Sequence, residues 1–314
     1  MGRHHSEKMK IDGRGEVVAL FDTHEAAARG IKQDFWPAAS ICPRVEDLFA
    51  LDNVDAVIIG TPTAEHYAQA TVSLERGWHV LCEKPLASDR QQILELMAAY
   101  DRCQKKGQGF SLAYQRRFWS RFRTLRREVR SGKWGAVKAI LSHNIENWQS
   151  TITGTWRNDP AQNPGGFVAD AGSHKIDAIF YTTGLAPLDL FARSVRAGSN
   201  VEIVSSVSAK LTNEVLVTMD FVGLAQYLDE DLCIHCEHAD LMLRHDELWI
   251  GRHGEITKLA SDEPESNPVS GFLDAVLHGK EELSPPTAAL PVYDVTQAIL
   301  ESSRTGLPVT IANS

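Results

Sequence analysis

The sequence predicts an α/β protein in two parts: a parallel sheet with helices on both faces, then an α+β region whose open sheet is mainly antiparallel. Two observations carry this reading. In the first third of the chain, short apolar runs alternate with segments of helical composition. Beyond residue 117, strand-like runs of about seven residues succeed one another, several alternating apolar with polar. A chain of 314 residues also exceeds the size at which one hydrophobic core usually stops growing, which favours two domains.

In order, EVVALFD (16–22) is a short apolar strand ending in an acid, and HEAAARGIKQDF has helical composition. VEDLFALDNVDAVIIGTP places a helix before a strand from Ala56 to Gly60, and AEHYAQATVSLERGWHVLCEKP supplies another helix and strand. GFSLAY (109–114) follows a helix over 88–106. Such alternation builds a parallel sheet covered on both faces. The basic stretch RRFWSRFRTLRREVRSGKWG then opens a different style of chain, so the boundary is placed between 116 and 117, giving domains 1–116 and 117–314. Within that stretch Phe118, Phe122 and Leu125 are expected to point inward and the arginines to form a solvated face.

In the second domain AVKAILSHNIENW, LDLFARSVRAG, NVEIVSSVSAKL, EVLVTMDF, DLCIHCEHA, DLMLRHD and ELWIGRHG read as strands. Between the first two, SHKIDAIFYTTG has the helical spacing Ile176, Ile179, Phe180, with Gly184 as a natural stop. SDEPESNP (261–268) is a polar loop.

With 43% apolar and 23% charged residues the composition is that of a soluble globular protein. The net charge of -9 and the lack of a dense Lys/Arg face with interleaved aromatics argue against nucleic acid and for a small neutral polar substrate. Cys42, Cys82, Cys103, Cys233 and Cys236 form an odd, scattered set, which suits a reducing compartment; a cytoplasmic location is expected. No run approaches the roughly 18 apolar residues of a membrane span, so no membrane partner is expected. CIHCEH (233–238) has no second cysteine pair to complete a structural zinc site, and strand alternation throws Cys233 and Cys236 onto opposite faces, so no metal is expected.

Three groups of residues carry chemistry. Asp22 ends an apolar strand, where a dinucleotide-binding fold places the acid that bonds the ribose hydroxyls; taken alone, an Asp there is far more often a helix N-cap. TPTAEH (Thr61 to His66) and EKP (Glu83 to Pro85) each follow a strand directly, where open parallel sheets bind ligands. Lys84, unless it is simply a surface turn residue, would have its pKa lowered by a nearby cofactor cation and partial burial, enough to exchange a proton with an alcohol. Asp170 and His174 in DAGSHKID are four apart; if the helix has begun they share one face, His174 as general base and Asp170 orienting substrate or imidazole. The preceding Gly165 and Gly166 alternatively reflect turn chemistry alone.

A TP-x-x-x-H loop, then EKP, then GG followed by D-x-G-x-H in a sheet-rich second domain resembles the glucose-fructose oxidoreductase / inositol dehydrogenase (Gfo/Idh/MocA) family over nearly the whole chain. The closing ESSRTGLPVTI is similar to that family's C-terminus. The resemblance implies a Rossmann-type N-terminal domain and a C-terminal α+β domain for substrate binding and oligomerisation. It implies a dehydrogenase moving a hydride between a nicotinamide cofactor and a sugar, polyol or related alcohol or carbonyl compound, and a homo-oligomer. Lys84 would contact substrate and nicotinamide, with His174 and Asp170 completing the catalytic set. Gly2, Asp22, Thr61, Pro62, His66 and Glu83 would join Lys84 in holding the cofactor, while Tyr114, Arg116, Trp156 and Arg157 would line the nicotinamide or substrate side. Asp22 followed by Thr23 favours NAD over the alternative NADP, because a carboxylate repels a 2′-phosphate and no Arg stands beside it. Two other outcomes stay open: a glycosidase that uses NAD transiently, as some relatives do, and a catalytically silent binding homologue.

One departure stands out. The family opens with an apolar strand and a Gly-x-Gly-x-x-Gly loop, whereas here Met1 is followed at once by GRHH and only Gly2 matches. That part supplies the central strand and the amides that meet the pyrophosphate. The expectation is therefore an N-terminally truncated form of a longer enzyme, and the rival is a shortened protein that no longer binds cofactor.

Overall fold

The computed structural model describes residues 1–312. It divides into two compact units: Met1–Phe118 with Ser266–Leu290, and Trp119–Glu265 with the chain from Pro291 onward. The sequence reading drew a single boundary at 116/117; the structure instead brings 266–290 back into the first unit, because Val269, Phe272 and Leu273 pack into its core.

In the first unit α1 (Gly2–Asp12) stops at Gly13, whose φ of 75° an L side chain rarely adopts. There follow β1 (Ala19–Leu20), α2 (Glu25–Phe35), β2 (Ser40–Ile41), α3 (Val45–Phe49), β3 (Ala56–Ile59), α4 (Thr63–Glu75), β4 (His79–Cys82), α5 (Arg90–Gln104) and β5 (Phe110–Leu112). All pairings are parallel, but the strands form two separate sheets, β1-β2 and β3-β4-β5. Among the described residues no strand joins them. EVVALFD, expected to be a full strand, contributes only Ala19 and Leu20, because β2 offers just Ser40 and Ile41 as partners. Met9, Ile31, Trp36, Leu81, Val269 and Phe272 share one core. Parallel pairing brings the loops after β3, β4 and β5 to the same end: the Glu83 N–H donates to the Ile59 carbonyl (2.9 Å) and the Ala113 N–H to that of Cys82 (2.8 Å).

The second unit begins with α6 (Ser120–Arg130), β6 (Val137–Ile145) and α7 (Trp148–Ile152). After a π-helical turn (Val168–Gly172) come α8 (Ser173–Thr183), β7 (Pro187–Val195), β8 (Val204–Leu211), β9 (Leu216–Val222), β10 (Asp229–Cys236), β11 (Asp240–Arg244), β12 (Glu247–Arg252) and β13 (Glu255–Leu259). The chain then contributes α9 (Pro268–His278) to the first unit and closes the second with α10 (Ala289–Thr305) and β14 (Val309–Thr310). One nine-stranded sheet runs β13-β12-β11-β10-β6-β9-β8-β7-β14, antiparallel throughout except for β6 against β9. All seven expected strands are present, and β13 and β14 extend the sheet at its edges.

One local reading changes. Phe118, Phe122 and Leu125 are buried as expected, but the arginines of α6 do more than face water. Arg130 donates to the Phe180, Tyr181 and Thr182 carbonyls (3.2, 2.6 and 3.3 Å), satisfying the orphan end of α8 just before the Gly184 stop. Arg127 pairs with Asp262 and Glu263. Where β10 meets β6 the ladder skips Lys138 on β6, so alternation along β10 from Cys233 to Cys236 is not interrupted. Among the described residues no group of three His, Cys, Asp or Glu is placed to hold a metal ion, and no helix is long and apolar enough to cross a membrane.

Candidate active site

In the first unit the site residues gather where β3, β4 and β5 end. Gly60, directly after β3, lies against the start of α1: a Cβ there would sit 3.3 Å from the Gly2 nitrogen and 3.7 Å from its Cα. The N-terminus of an eleven-residue helix thus approaches the strand end backbone to backbone, a donor arrangement suited to a phosphate group. Asp22 follows β1. Its Oδ1 accepts the His24 N–H at 2.8 Å, closing the turn into α2, so the local helix-entry role is present while the carboxylate stays partly exposed. These features fit the ribose and phosphate portion of a dinucleotide.

The TP and EKP loops are tied together by His66, the fourth residue of α4. Its imidazole is buried, with Nδ1 2.7 Å from the Pro85 carbonyl and Nε2 2.9 Å from the Thr61 carbonyl. Burial pushes the His66 pKa below its ordinary value, and the two carbonyls pull it only partly back. Thr61 donates its hydroxyl to Gln69 (2.9 Å), and Pro62 caps α4. Both ring nitrogens of His66 therefore face protein carbonyls, which places it as a brace between loops.

Glu83 is buried as well, and it meets a residue that the sequence reading did not select. His5 Nε2 lies 2.7 Å from Glu83 Oε1, with side chains only 3% and 7% exposed, while Glu83 Oε2 accepts the Lys84 N–H at 3.2 Å. Burial alone would raise the carboxyl pKa, but the bond and charge of His5 together with Lys84 hold it below the ordinary value. Tyr114 and Arg116 follow β5 and are buried; the neighbouring Arg117 stacks its guanidinium 6.0 Å from the Tyr114 ring and donates to the Leu283 carbonyl (2.9 Å). Nothing in the linear pattern links residue 5 to residue 83, so His5 is legible only in three dimensions.

In the second unit the GG pair has a steric cause. Gly166 has φ 51°, and a Cβ there would fall 2.2 Å from the Glu202 carbonyl oxygen, so no side chain is tolerated. Held there, the Phe167 N–H donates to that carbonyl (2.9 Å), and the π-helical turn carrying Asp170 begins. Asp170 therefore precedes α8, within a widened turn, and His174 is the second residue of α8. The expected shared α-helical face is replaced by this π-to-α junction, a distortion often found at functional sites. Asp170 Oδ2 accepts from Arg157 Nε at 2.8 Å, and the Arg157 guanidinium lies 4.5 Å over the exposed Trp156 ring. Three of the four selected residues of this unit, Trp156, Arg157 and Asp170, are thus linked.

The same helix carries ionic groups that the sequence reading passed over. Lys175 Nζ donates to Glu230 Oε1 on β10 at 2.8 Å, both nearly buried, and Asp177 is fully buried. Their signal was charge inside an otherwise apolar helix, which is costly unless paired.

A parallel-stranded unit with its polar loops at the strand C-termini, joined to a unit built on a broad open sheet, defines a two-domain protein of Rossmann type. The chain belongs to the GFO/IDH/MocA family: residues 1–114 match the profile described as "Oxidoreductase family, NAD-binding Rossmann fold", and residues 122–242 match "GFO/IDH/MocA C-terminal domain". It is 30% identical to an inositol 2-dehydrogenase of Corynebacterium glutamicum over 229 residues, 70% of this chain and 63% of that protein. With a D-glucoside 3-dehydrogenase of Escherichia coli it shares 27% identity over 169 residues, 54% of this chain and 47% of that one. The matched regions span 42% to 63% of the length of such curated relatives. Among solved structures, an oxidoreductase domain protein from Kribbella flavida superposes with a TM-score of 0.88 at 20% identity, covering 100% of this chain and 96% of that one, which establishes the shared fold.

Proposed function

We propose that the protein is an NAD-dependent dehydrogenase acting on a CH–OH group of a sugar or polyol, with NADP as the alternative cofactor. The observation that carries this is Lys84, which follows the C-terminal end of β4 within residues 1–114, the part of the chain that matches the family's NAD-binding profile. Relatives that act on inositol and on glucosides support the substrate class.

When bound, the nicotinamide supplies the hydride acceptor. Gly2, Asp22, Thr61, Pro62 and Glu83 are assigned to the cofactor side, His66 to bracing its loops. Asp22 favours NAD, since its carboxylate would repel a 2′-phosphate. Lys84 and His174 exchange the alcohol proton, Asp170 orients the substrate, and Tyr114, Arg116, Trp156 and Arg157 bind it. Domains 1–116 and 117–314 of the sequence reading correspond in this proposal to cofactor and substrate functions, with 266–290 added to the first.

We further assign a cytoplasmic location and a homo-oligomer that assembles through the open sheet face. Register aligns Phe191, Ser208, Thr218 and Leu141 on that face, and Leu141 is exposed.

The test is absorbance at 340 nm with NAD or NADP and a panel of cyclic polyols, aldoses and glycosides. Reduced nucleotide formed with an alcohol supports the proposal. Release of sugar from a glycoside without net reduction would replace it with the glycosidase reading. If no substrate reacts and neither nucleotide raises the melting temperature, the proposal is wrong.

A further inference from the structure

We propose that His5 and His66 are a pair of positioning residues for Lys84, gripping the chain on either side of it from two different helices. The inference rests on the reading of Lys84 as the proton-exchanging residue. His5 belongs to α1 and His66 to α4; neither lies on the loop that carries the lysine.

On the N-terminal side the grip runs through Glu83. One carboxylate oxygen takes His5 Nε2 at 2.7 Å and the other takes the backbone N–H of Lys84 itself at 3.2 Å. A carboxylate only accepts, so Nε2 of His5 carries the proton of this bond. His5 Nδ1 is buried and has no hydrogen-bond partner among the described residues.

On the C-terminal side the grip is on the next residue. His66 Nδ1 lies 2.7 Å from the Pro85 carbonyl and Nε2 lies 2.9 Å from the Thr61 carbonyl, so the ring pins the EKP loop to the TP loop. The charged groups facing His66 are Glu83 and Glu65. Both imidazoles are almost completely buried, leaving little room for either to swing away. A reacting group whose peptide neighbours are locked in advance pays less ordering entropy when the substrate arrives. The side chain of Lys84 then needs to settle only its own torsions.

The experiment compares the intact 314-residue chain with His5→Phe, His66→Phe, His5→Gln and His66→Gln, by amide hydrogen exchange followed residue by residue. This readout needs no cofactor. In both Phe variants the Lys84 amide should exchange about tenfold faster or more, while Val80 and Leu81 in β4 stay within about twofold of wild type. His5→Gln should restore most of the protection, since its amide can still donate to Glu83. In parallel, with any alcohol that the wild type oxidises, the Phe variants should lose kcat with little change in KM.

Unchanged exchange at Lys84, or acceleration shared equally with Val80 and Leu81, would overturn the proposal. Should a Phe variant fail to fold, His66→Gln, whose flexible amide replaces the rigid ring between the two carbonyls, must still speed Lys84 exchange severalfold or the proposal is wrong. If exchange behaves as expected but the wild type reduces no nucleotide, the dehydrogenase reading falls while the grip on Lys84 stands.

Discussion

Glu83 and Asp170 each stand next to a residue proposed to handle a proton, yet the molecule holds them in opposite ways. Glu83 and its partner His5 are 7% and 3% exposed, and Asp170 and its partner Arg157 are 16% and 41% exposed. A buried carboxylate deprived of its donor keeps the full desolvation penalty, whereas one that still touches water recovers part of it. The contrast teaches that the Glu83–His5 pair is fixed by burial, while the Asp170–Arg157 pair stays within reach of water.

The largest effect expected is on chemistry. Lys84→Met and His174→Gln, assayed at 340 nm, should each lower hydride transfer by about 10²–10⁴-fold, the usual worth of a positioned acid or base. An unaffected rate in either would remove that residue from the mechanism.

Next comes the direct test of the comparison. His5→Ala should destabilise the first unit by about 1.5–3 kcal/mol, since it takes a hydrogen bond from a buried charge. Arg157→Ala should cost no more than about 1 kcal/mol in denaturant titrations, and should act mainly by raising KM. Equal stability losses would erase the distinction between the two sides.

A smaller effect is pH dependence at His66. Burial holds its folded pKa below the ordinary 6.5, so acid favours the unfolded chain, which takes up the proton more readily. The stability from keeping the ring neutral is complete above 6.5 and is lost as pH falls through the folded pKa. His66→Gln should flatten the melting temperature against pH in that window; an unchanged slope would place the titration elsewhere.

The smallest effect concerns a second buried carboxylate, hydrogen-bonded by two serines and with the Arg117 charge nearby. Glu282 accepts the Ser111 hydroxyl and, at 2.9 Å, the Ser284 N–H, and burial raises its pKa above the ordinary 4.5. Here the sign reverses: the folded state holds the proton more tightly, so stability declines as pH rises from 4.5 through the raised value. Glu282→Gln should remove that decline, and its melting temperature relative to wild type should be higher at neutral pH than in acid. Glu83, with imidazole and ammonium beside it, shows the opposite shift at similar burial. At Glu83 the His5 bond and the neighbouring charges outweigh burial, whereas at Glu282 burial outweighs the serine bonds and the Arg117 charge.

Much of this was legible in the chain. VSSVSAKL alternates and is a strand with one face buried; SHKIDAIFYTT has helical spacing and ends at Gly184. Thr61, His66, Glu83 and Lys84, assigned to the site in the proposal, were selected because each follows an apolar run at the end where parallel sheets bind ligands. EVVALFD read longer than it forms, since a strand extends only as far as a partner offers a ladder.

The sequence by itself determined the fold class, the family and the loops on which the proposed chemistry stands, because apolar period, turn residues and motif spacing are local properties of the chain. Tertiary structure alone decided that His5 meets Glu83 across 78 residues, that Asp170 turns to Arg157, that Gly166 must lack a side chain beside Glu202, and that α9 returns to the first unit. Those are packing outcomes between segments far apart in the chain, set by which surfaces must leave water together, and no local pattern records them.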